Sequence, residues 1–138
     1  ALLMPMIDAR RMEVYTAIYR GSYDDHYFGV VEPLTDIAAV VLTDEQSQAR
    51  LQEIVGDKLL YYFGNGAEKA KEIFDSILPG SHLIYDLHPR ADAMLGSVVK
   101  SISLGQTENV AYWEPYYLKE YEAKKSVNKV LSRTLGKH

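Results

Sequence analysis

The sequence LLMPMIDARRMEVYTAIY, at residues 2–19, predicts a β-hairpin. Leu2–Ile7 is an apolar run typical of a buried strand. Met12–Tyr19 is rich in β-branched and aromatic residues, which favours a second strand. Because only the polar segment Asp8–Arg11 separates the two, we expect an antiparallel pair joined by a short turn.

Beyond the hairpin, strand-like and helix-like segments follow one another along the chain. Tyr27–Glu32 predicts a third strand, which Pro33 ends or confines to a sheet edge. Asp36–Leu42 fits either a strand or a short helix. Three helices are expected: one from a capping box at Thr43–Gln46 to Gly56, one over Ala67–Leu78, and one from Pro89 to about Leu104. Two strands lie between them, over Lys58–Phe63 and Leu83–Leu87. An extended segment around Pro115 is followed by a helix or tail.

The order β-β-β-α-β-α-β-α predicts an α/β fold with a mixed sheet. Right-handed crossovers would place the later strands parallel to the first. This succession is typical of a ribonuclease H-like sheet, which is also the half-unit of actin-like ATPases. At 138 residues the chain is expected to form a single domain.

Composition excludes several classes of protein. The absence of cysteine excludes disulfides, cysteine-ligated zinc, iron–sulfur clusters and cysteine nucleophiles, and it fits a reducing compartment, so we expect a cytoplasmic protein. No apolar run approaches the roughly 20 residues that span a bilayer, so no membrane association is expected. The net charge of −4 argues against a large phosphate-binding surface. The 11 tyrosines are compatible with a homodimer interface.

Asp8 is the first candidate for chemistry. Ribonuclease H-like nucleases hold two metal ions with carboxylates from the first strand and from the end of the fourth. Asp8 occupies a suitable position, but the fourth strand ends in Gly64–Gly66, without an acid. We therefore interpret Asp8 as a turn residue paired with Arg10 or Arg11, and we do not expect a nuclease.

The glycine turn Gly64-Asn65-Gly66 lies between a strand and a helix. Backbone N–H groups at such a position can bind phosphate, and glycines allow close approach. The sequence is neither GxGxxG nor a Walker A motif. Two interpretations stay open: a nucleotide loop, and a plain turn that leads into a helix.

Three polar residues, His82, Asp86 and His88, flank the last predicted strand. Their spacing gives neither the one-face pair of an HExxH helix nor a strand alternation of three ligands. We interpret them as exposed residues at strand ends, and we predict no metal site.

Two segments carry a resemblance to a known family. The segment IDARRMEVY at residues 7–15 resembles the IDAR-x-x-EVY signature of the TsaB family, also called YeaZ. The segment EPYYL at residues 114–118 is similar to that family's E-P-x-Y-L segment, and GNGA at residues 64–67 resembles the glycine turn between them. The motifs follow in the family's order and span nearly the whole chain.

The resemblance implies a role in tRNA modification. TsaB proteins are non-catalytic, actin-like paralogues of TsaD, which was once assigned to the M22 glycoproteases. With TsaD and TsaE they support the transfer of a threonylcarbamoyl group to an adenosine next to the anticodon. TsaD holds its metal through an HxxxH motif, which this chain lacks.

The resemblance also implies that this chain corresponds to the C-terminal domain of a longer two-domain protein. TsaD-like and TsaE-like partners would then bind mainly through the absent N-terminal domain, with tRNA contacted indirectly, although the basic segment Lys119–Lys137 could touch phosphates. No cofactor is expected in this part, and ATP or ADP would belong to the full complex. The alternatives are a nucleotide-binding module and, less favoured, a metallopeptidase.

No catalytic residue is carried over from the family. The positions that match its motifs are candidates for a structural or interface role, and the hypothesis for the first four is that they hold the hairpin against the sheet. These positions are Asp8, Arg10, Glu13, Tyr15, Pro115, Tyr117 and Leu118.

Overall fold

The computed structural model describes residues 1–23 and 29–118, and within these ranges the fold is mixed α/β. The predicted α/β class is therefore confirmed. The strands are β1 Leu2–Asp8, β2 Glu13–Thr16, β3 Tyr19–Tyr23, β4 Gly29–Pro33, β5 Ala38–Val41, β6 Leu60–Phe63 and β7 Ser81–Ile84, and the helices are α1 Glu45–Val55, α2 Lys71–Ile77 and α3 Leu95–Ser103. Short 3₁₀ turns, Glu68–Ala70 and Ala91–Met94, precede α2 and α3.

Strand β1 lies at the centre of the sheet. Along one edge it pairs antiparallel with both β2 and β3, and along the other it pairs parallel with β6. Outside these strands, β5 pairs antiparallel with β2, β4 pairs antiparallel with β3, and β7 pairs parallel with β6. The carboxyl ends of β1, β6 and β7 consequently meet at one edge of the sheet.

The prediction of one continuous second strand over Met12–Tyr19 is wrong, because the structure has two strands there. Ala17 and Ile18 are consecutive and both buried, which interrupts the alternation of a strand and divides the segment into β2 and β3. Thr35 occupies the break, since its hydroxyl accepts a hydrogen bond from the Ile18 N–H at 2.9 Å. The predicted hairpin between β1 and the following strand is confirmed.

Helix α1 begins one residue later than the proposed capping box requires. The Asp44 carboxylate, rather than the Thr43 hydroxyl, accepts the hydrogen bond from the Ser47 N–H, at 2.8 Å. Threonine and aspartate are both common N-cap residues, so the sequence alone does not decide which of these two neighbours caps the helix. The ambiguous segment before it forms strand β5.

The core lies on one face of the sheet, where α1 and α2 pack. Alternate residues of β1 and β6 point into it, and their relative exposure is 1% or less. Tyr62 of β6 meets Phe74 of α2 edge to face, with 4.9 Å between the ring centroids. The buried residues of this core include Leu2, Met4, Met6, Val14, Leu42, Leu51, Val55 and Leu60.

The ends of the later helices and strands differ from the predicted ones. The helix predicted from Ala67 starts as a 3₁₀ turn, and the strand predicted over Leu83–Leu87 is β7, which ends at Ile84. The segment around Pro115, predicted to be extended, belongs to neither a helix nor a strand. Residues 119–138, predicted as a helix or tail, lie outside the described part. Within the described ranges, no helix has the length and apolar character needed to cross a membrane.

Candidate functional site

The hairpin turn and the glycine turn, distant in sequence, meet at the carboxyl edge of the sheet. The Asp8 backbone N–H donates to the Asn65 side-chain oxygen at 3.0 Å, across 57 positions of the chain. The Gly66 N–H donates to the Met6 carbonyl at 3.1 Å. The first family motif and the glycine turn therefore form one hydrogen-bonded unit, here called the hairpin junction: Asp8–Glu13 with Gly64–Lys69.

The Asp8 carboxylate is paired within the hairpin junction. Its Oδ1 accepts from the Arg10 backbone N–H at 2.9 Å and also binds the Lys69 ammonium. The hydrogen bond from Lys69, followed by that from the Arg10 N–H, holds the pKa of Asp8 below its ordinary value. The predicted partner of Asp8 was Arg10 or Arg11. The structure pairs Asp8 with the backbone N–H of Arg10, and it adds the Lys69 ammonium, which was not predicted.

Lys69 connects three parts of the turn. Besides Asp8, its Nζ donates to the carbonyls of Arg11, at 3.0 Å, and Glu13. Its side chain is only 21% exposed. Sequence reasoning missed this residue. The available signal was its position in the first turn of a helical segment, where the helix dipole disfavours a cation that has no other partner.

The hairpin turn places Arg10 and Arg11 in the left-handed region, with φ of 67° and 48°. The Ala9 N–H bonds the Glu13 carbonyl and the Glu13 N–H bonds the Arg10 carbonyl, which closes the turn. The Arg10 side chain is exposed. The hydrogen bonds of Arg10 in the junction are made by its backbone, and its charge adds to the lowering of the Asp8 pKa.

This geometry predicts a difference between two substitutions at Arg10. Arg10→Gly should stabilise the protein by about 1 kcal/mol relative to Arg10→Ala, because glycine adopts positive φ without the penalty of a Cβ. Denaturant melts of both variants would measure the difference. Equal free energies of unfolding for the two variants would show that the left-handed conformation at Arg10 costs no stability.

The two glycines of the glycine turn are required by close packing against β1. Gly64 has φ of 103°, and a Cβ placed on it would lie 2.3 Å from the Met6 carbonyl oxygen. A Cβ on Gly66 would lie 2.9 Å from the Asp8 backbone nitrogen and 3.0 Å from Val14 Cγ1. Contacts within the protein therefore explain both glycines without a ligand.

The other family-motif residues have different positions. Tyr15 lies in β2, half-buried, opposite Ile7 and Ala39. Pro115, Tyr117 and Leu118 lie after α3 in irregular structure, outside the sheet, and Tyr117 is 79% exposed. The structure thus brings Asp8, Arg10 and Glu13 together with the glycine turn and leaves the last motif separate from the sheet.

A cleft of about 190 Å³ adjoins the glycine turn at the end of β7. Its polar lining includes Asn65, Glu68, Asp86 and His88, whereas His82 lies on β7 with its ring 5.6 Å from that of Tyr61. In the part of the chain that the structure describes, no group of three or more acidic or histidine side chains is placed to hold a metal ion. The two carboxylates make this cleft a poor match for a phosphate group.

Comparison with protein-family models finds no match for the chain, and comparison with curated proteins finds none either. The TsaB resemblance therefore rests on the motif residues.

Proposed function

We propose that the chain is part of a non-catalytic scaffold subunit, similar to TsaB, that supports a TsaD-like paralogue in tRNA threonylcarbamoyladenosine formation. The observation that carries this proposal is the hairpin junction. Asp8 and the backbone of Arg10 and Glu13, all in the first family motif, bind one another or Lys69. Residues engaged in this way serve the fold, which agrees with a family whose motif carries no catalytic role.

The arrangement of the sheet supports the finer fold assignment that we propose, a ribonuclease H-like domain of the actin-like type. An antiparallel meander is followed by two strands, β6 and β7, that run parallel to β1 and to each other. Helix α1 connects β5 to β6, and helix α2 connects the parallel strands β6 and β7. In the family this domain would be the C-terminal half of the protein, in the cytoplasm.

Partner binding by the full-length protein tests the scaffold role. We expect the tagged protein that carries this chain to co-purify a TsaD-like paralogue and a TsaE-like ATPase from its own cells. The Arg10→Gly variant should retain both, because the exposed Arg10 side chain is not assigned to the interface. Recovery of neither partner with the unmodified protein would contradict the proposal. Loss of both partners only in the variant would show that Arg10 contributes to the interface rather than to the fold.

Nucleotide titration tests the alternative function. Since Met6 and Asp8 occupy the space against Gly64 and Gly66, we expect no calorimetric binding of ATP or ADP with a dissociation constant below about 1 mM. Saturable binding in that range would favour the nucleotide-binding module over the scaffold.

A further inference from the structure

The glycine turn contains an asparagine that is followed directly by glycine, Asn65-Gly66. In this dipeptide an asparagine side chain loses its amide most readily, because the next residue has no side chain to shield its peptide nitrogen. That nitrogen can attack the side-chain carbonyl carbon of the asparagine within the same short segment, where the two groups are held close together. The scaffold role proposed above does not use this chemistry.

The reaction converts the asparagine to aspartate or isoaspartate, with water as the only co-reactant. The Gly66 nitrogen gives up its proton and forms a bond to the Asn65 Cγ, while Nδ2 leaves as ammonia and carries that proton away. Water then cleaves the five-membered imide at one of its two carbonyls. Cleavage of the bond from the nitrogen to Cγ gives aspartate. Cleavage of the bond to the main-chain carbonyl carbon gives isoaspartate, whose backbone runs through Cβ and Cγ and is one carbon longer.

Both reacting groups are held by hydrogen bonds within the hairpin junction. The Gly66 N–H donates to the Met6 carbonyl at 3.1 Å, and the Asn65 Oδ1 accepts from the Asp8 N–H at 3.0 Å. Ring closure needs a Gly66 nitrogen that has lost its proton and an Asn65 side chain that is free to rotate onto it. Each of these requirements breaks a contact of the junction, so the folded turn opposes the attack.

The two residues of the dipeptide also differ in burial. Asn65 is exposed, and among the described residues its Nδ2 has no hydrogen-bond partner, so the leaving amide is accessible to water. Gly66 is buried, and a Cβ placed on it would lie 2.9 Å from the Asp8 backbone nitrogen. Removing a proton from a buried N–H creates a charge out of contact with water, which is costly. The attacking nitrogen is therefore the group that the fold shields.

We propose that Asn65-Gly66 is a site of spontaneous modification that the hairpin junction masks, and that its conversion to isoaspartate opens the junction permanently. The longer backbone of isoaspartate cannot keep Gly64 and Gly66 at their close distances from β1. Plain aspartate at position 65 keeps the backbone length and still offers an oxygen to the Asp8 N–H. Folded chains therefore stay intact until the junction opens, and each opening that leads to isoaspartate is not reversed by refolding.

Ageing of the full chain at mildly alkaline pH tests the masking. Peptide mass spectrometry follows the conversion of Asn65 with time, in buffer and in urea. We expect conversion to be roughly tenfold or more faster in urea, since the folded site reacts only while the junction is open. In buffer, Lys69→Met should convert roughly 10–100 times faster than the unmodified chain, because it lacks junction contacts. Lys71→Met, altered outside the junction, should keep the unmodified rate.

A folded chain that converts as fast as the unfolded chain, or faster, would overturn the masking. The hydrogen bond from the Asp8 N–H would then activate the Asn65 carbonyl instead of holding it away. The comparison between buffer and urea uses the unmodified chain alone, so it stands even if Lys69→Met does not fold.

Denaturation of aged chains tests the opening of the junction. Chains that carry isoaspartate at position 65 are separated chromatographically and compared with Asn65→Asp, which carries the same added charge on a backbone of normal length. We expect the isoaspartate chains to unfold at a lower denaturant concentration than Asn65→Asp. Equal midpoints would overturn the claim that the modification opens the junction.

Discussion

Replacing Gly64 by alanine is expected to produce the largest loss of stability of any change at the hairpin junction, about 2–5 kcal/mol. The added Cβ would lie 2.3 Å from the Met6 carbonyl oxygen, and φ is 103°. Neither atom can move alone, because Met6 belongs to the central strand and its carbonyl also accepts the Gly66 N–H. Since domains are stable by about 5–15 kcal/mol, this change removes a large part of the total.

Chemical denaturation of Gly64→Ala measures this loss, and Gly80→Ala is the matched control. A Cβ on Gly80 meets no atom within 4 Å, so its replacement should change the free energy of unfolding by less than about 0.5 kcal/mol. Equal midpoints for the two variants would show that the glycine turn does not pack tightly against β1.

Lys69→Met is expected to cause the second-largest loss of stability at the junction, about 1.5–3 kcal/mol. The lower part of this range is expected because the site is partly exposed. Methionine keeps the aliphatic stem but leaves the Arg11 and Glu13 carbonyls without the ammonium. For a domain of this size the melting temperature should fall by roughly 4–8 °C. Lys71→Met is the control, because Lys71 pairs only with the exposed Asp75 among the described residues, and it should melt near the unmodified chain.

The same variant has a predictable pH dependence. Because the pKa of Asp8 is lowered in the folded state, its pairing with Lys69 stabilises the protein above the ordinary pKa of 3.8. This contribution is lost as the pH falls below 3.8 and the carboxylate becomes protonated. The melting difference between the unmodified chain and Lys69→Met should therefore narrow below pH 3.8. A constant difference would assign the effect to the two carbonyl contacts alone.

Periodicity predicted the elements of the fold but not their interruptions. The apolar run at Leu2–Ile7 and the stripe at Leu51 and Val55 predicted β1 and α1 because burial follows the period of each element. The break at Ala17 and Ile18 was missed, since both residues suit a strand and the hydroxyl that accepts the Ile18 N–H belongs to Thr35, 17 positions away. Only the folded chain brings that hydroxyl to the strand.

The hairpin junction shows a similar limit. The motif and the glycine turn were recognised as separate segments, and their contact follows from the parallel pairing of β1 with β6. The role of Lys69 depends on three acceptors that lie 56 to 61 positions earlier in the chain. No local spacing encodes such a contact, so an arginine within the motif was the expected partner of Asp8.

The most direct test of the proposed function is the level of threonylcarbamoyladenosine in cellular tRNA. The protein that carries this chain is depleted in its own cells, and the nucleoside is quantified by mass spectrometry of bulk tRNA while the TsaD-like paralogue is confirmed to be present. Loss of the nucleoside, restored by the unmodified protein and by Arg10→Gly, is the predicted result. An unchanged level after depletion would contradict the proposal.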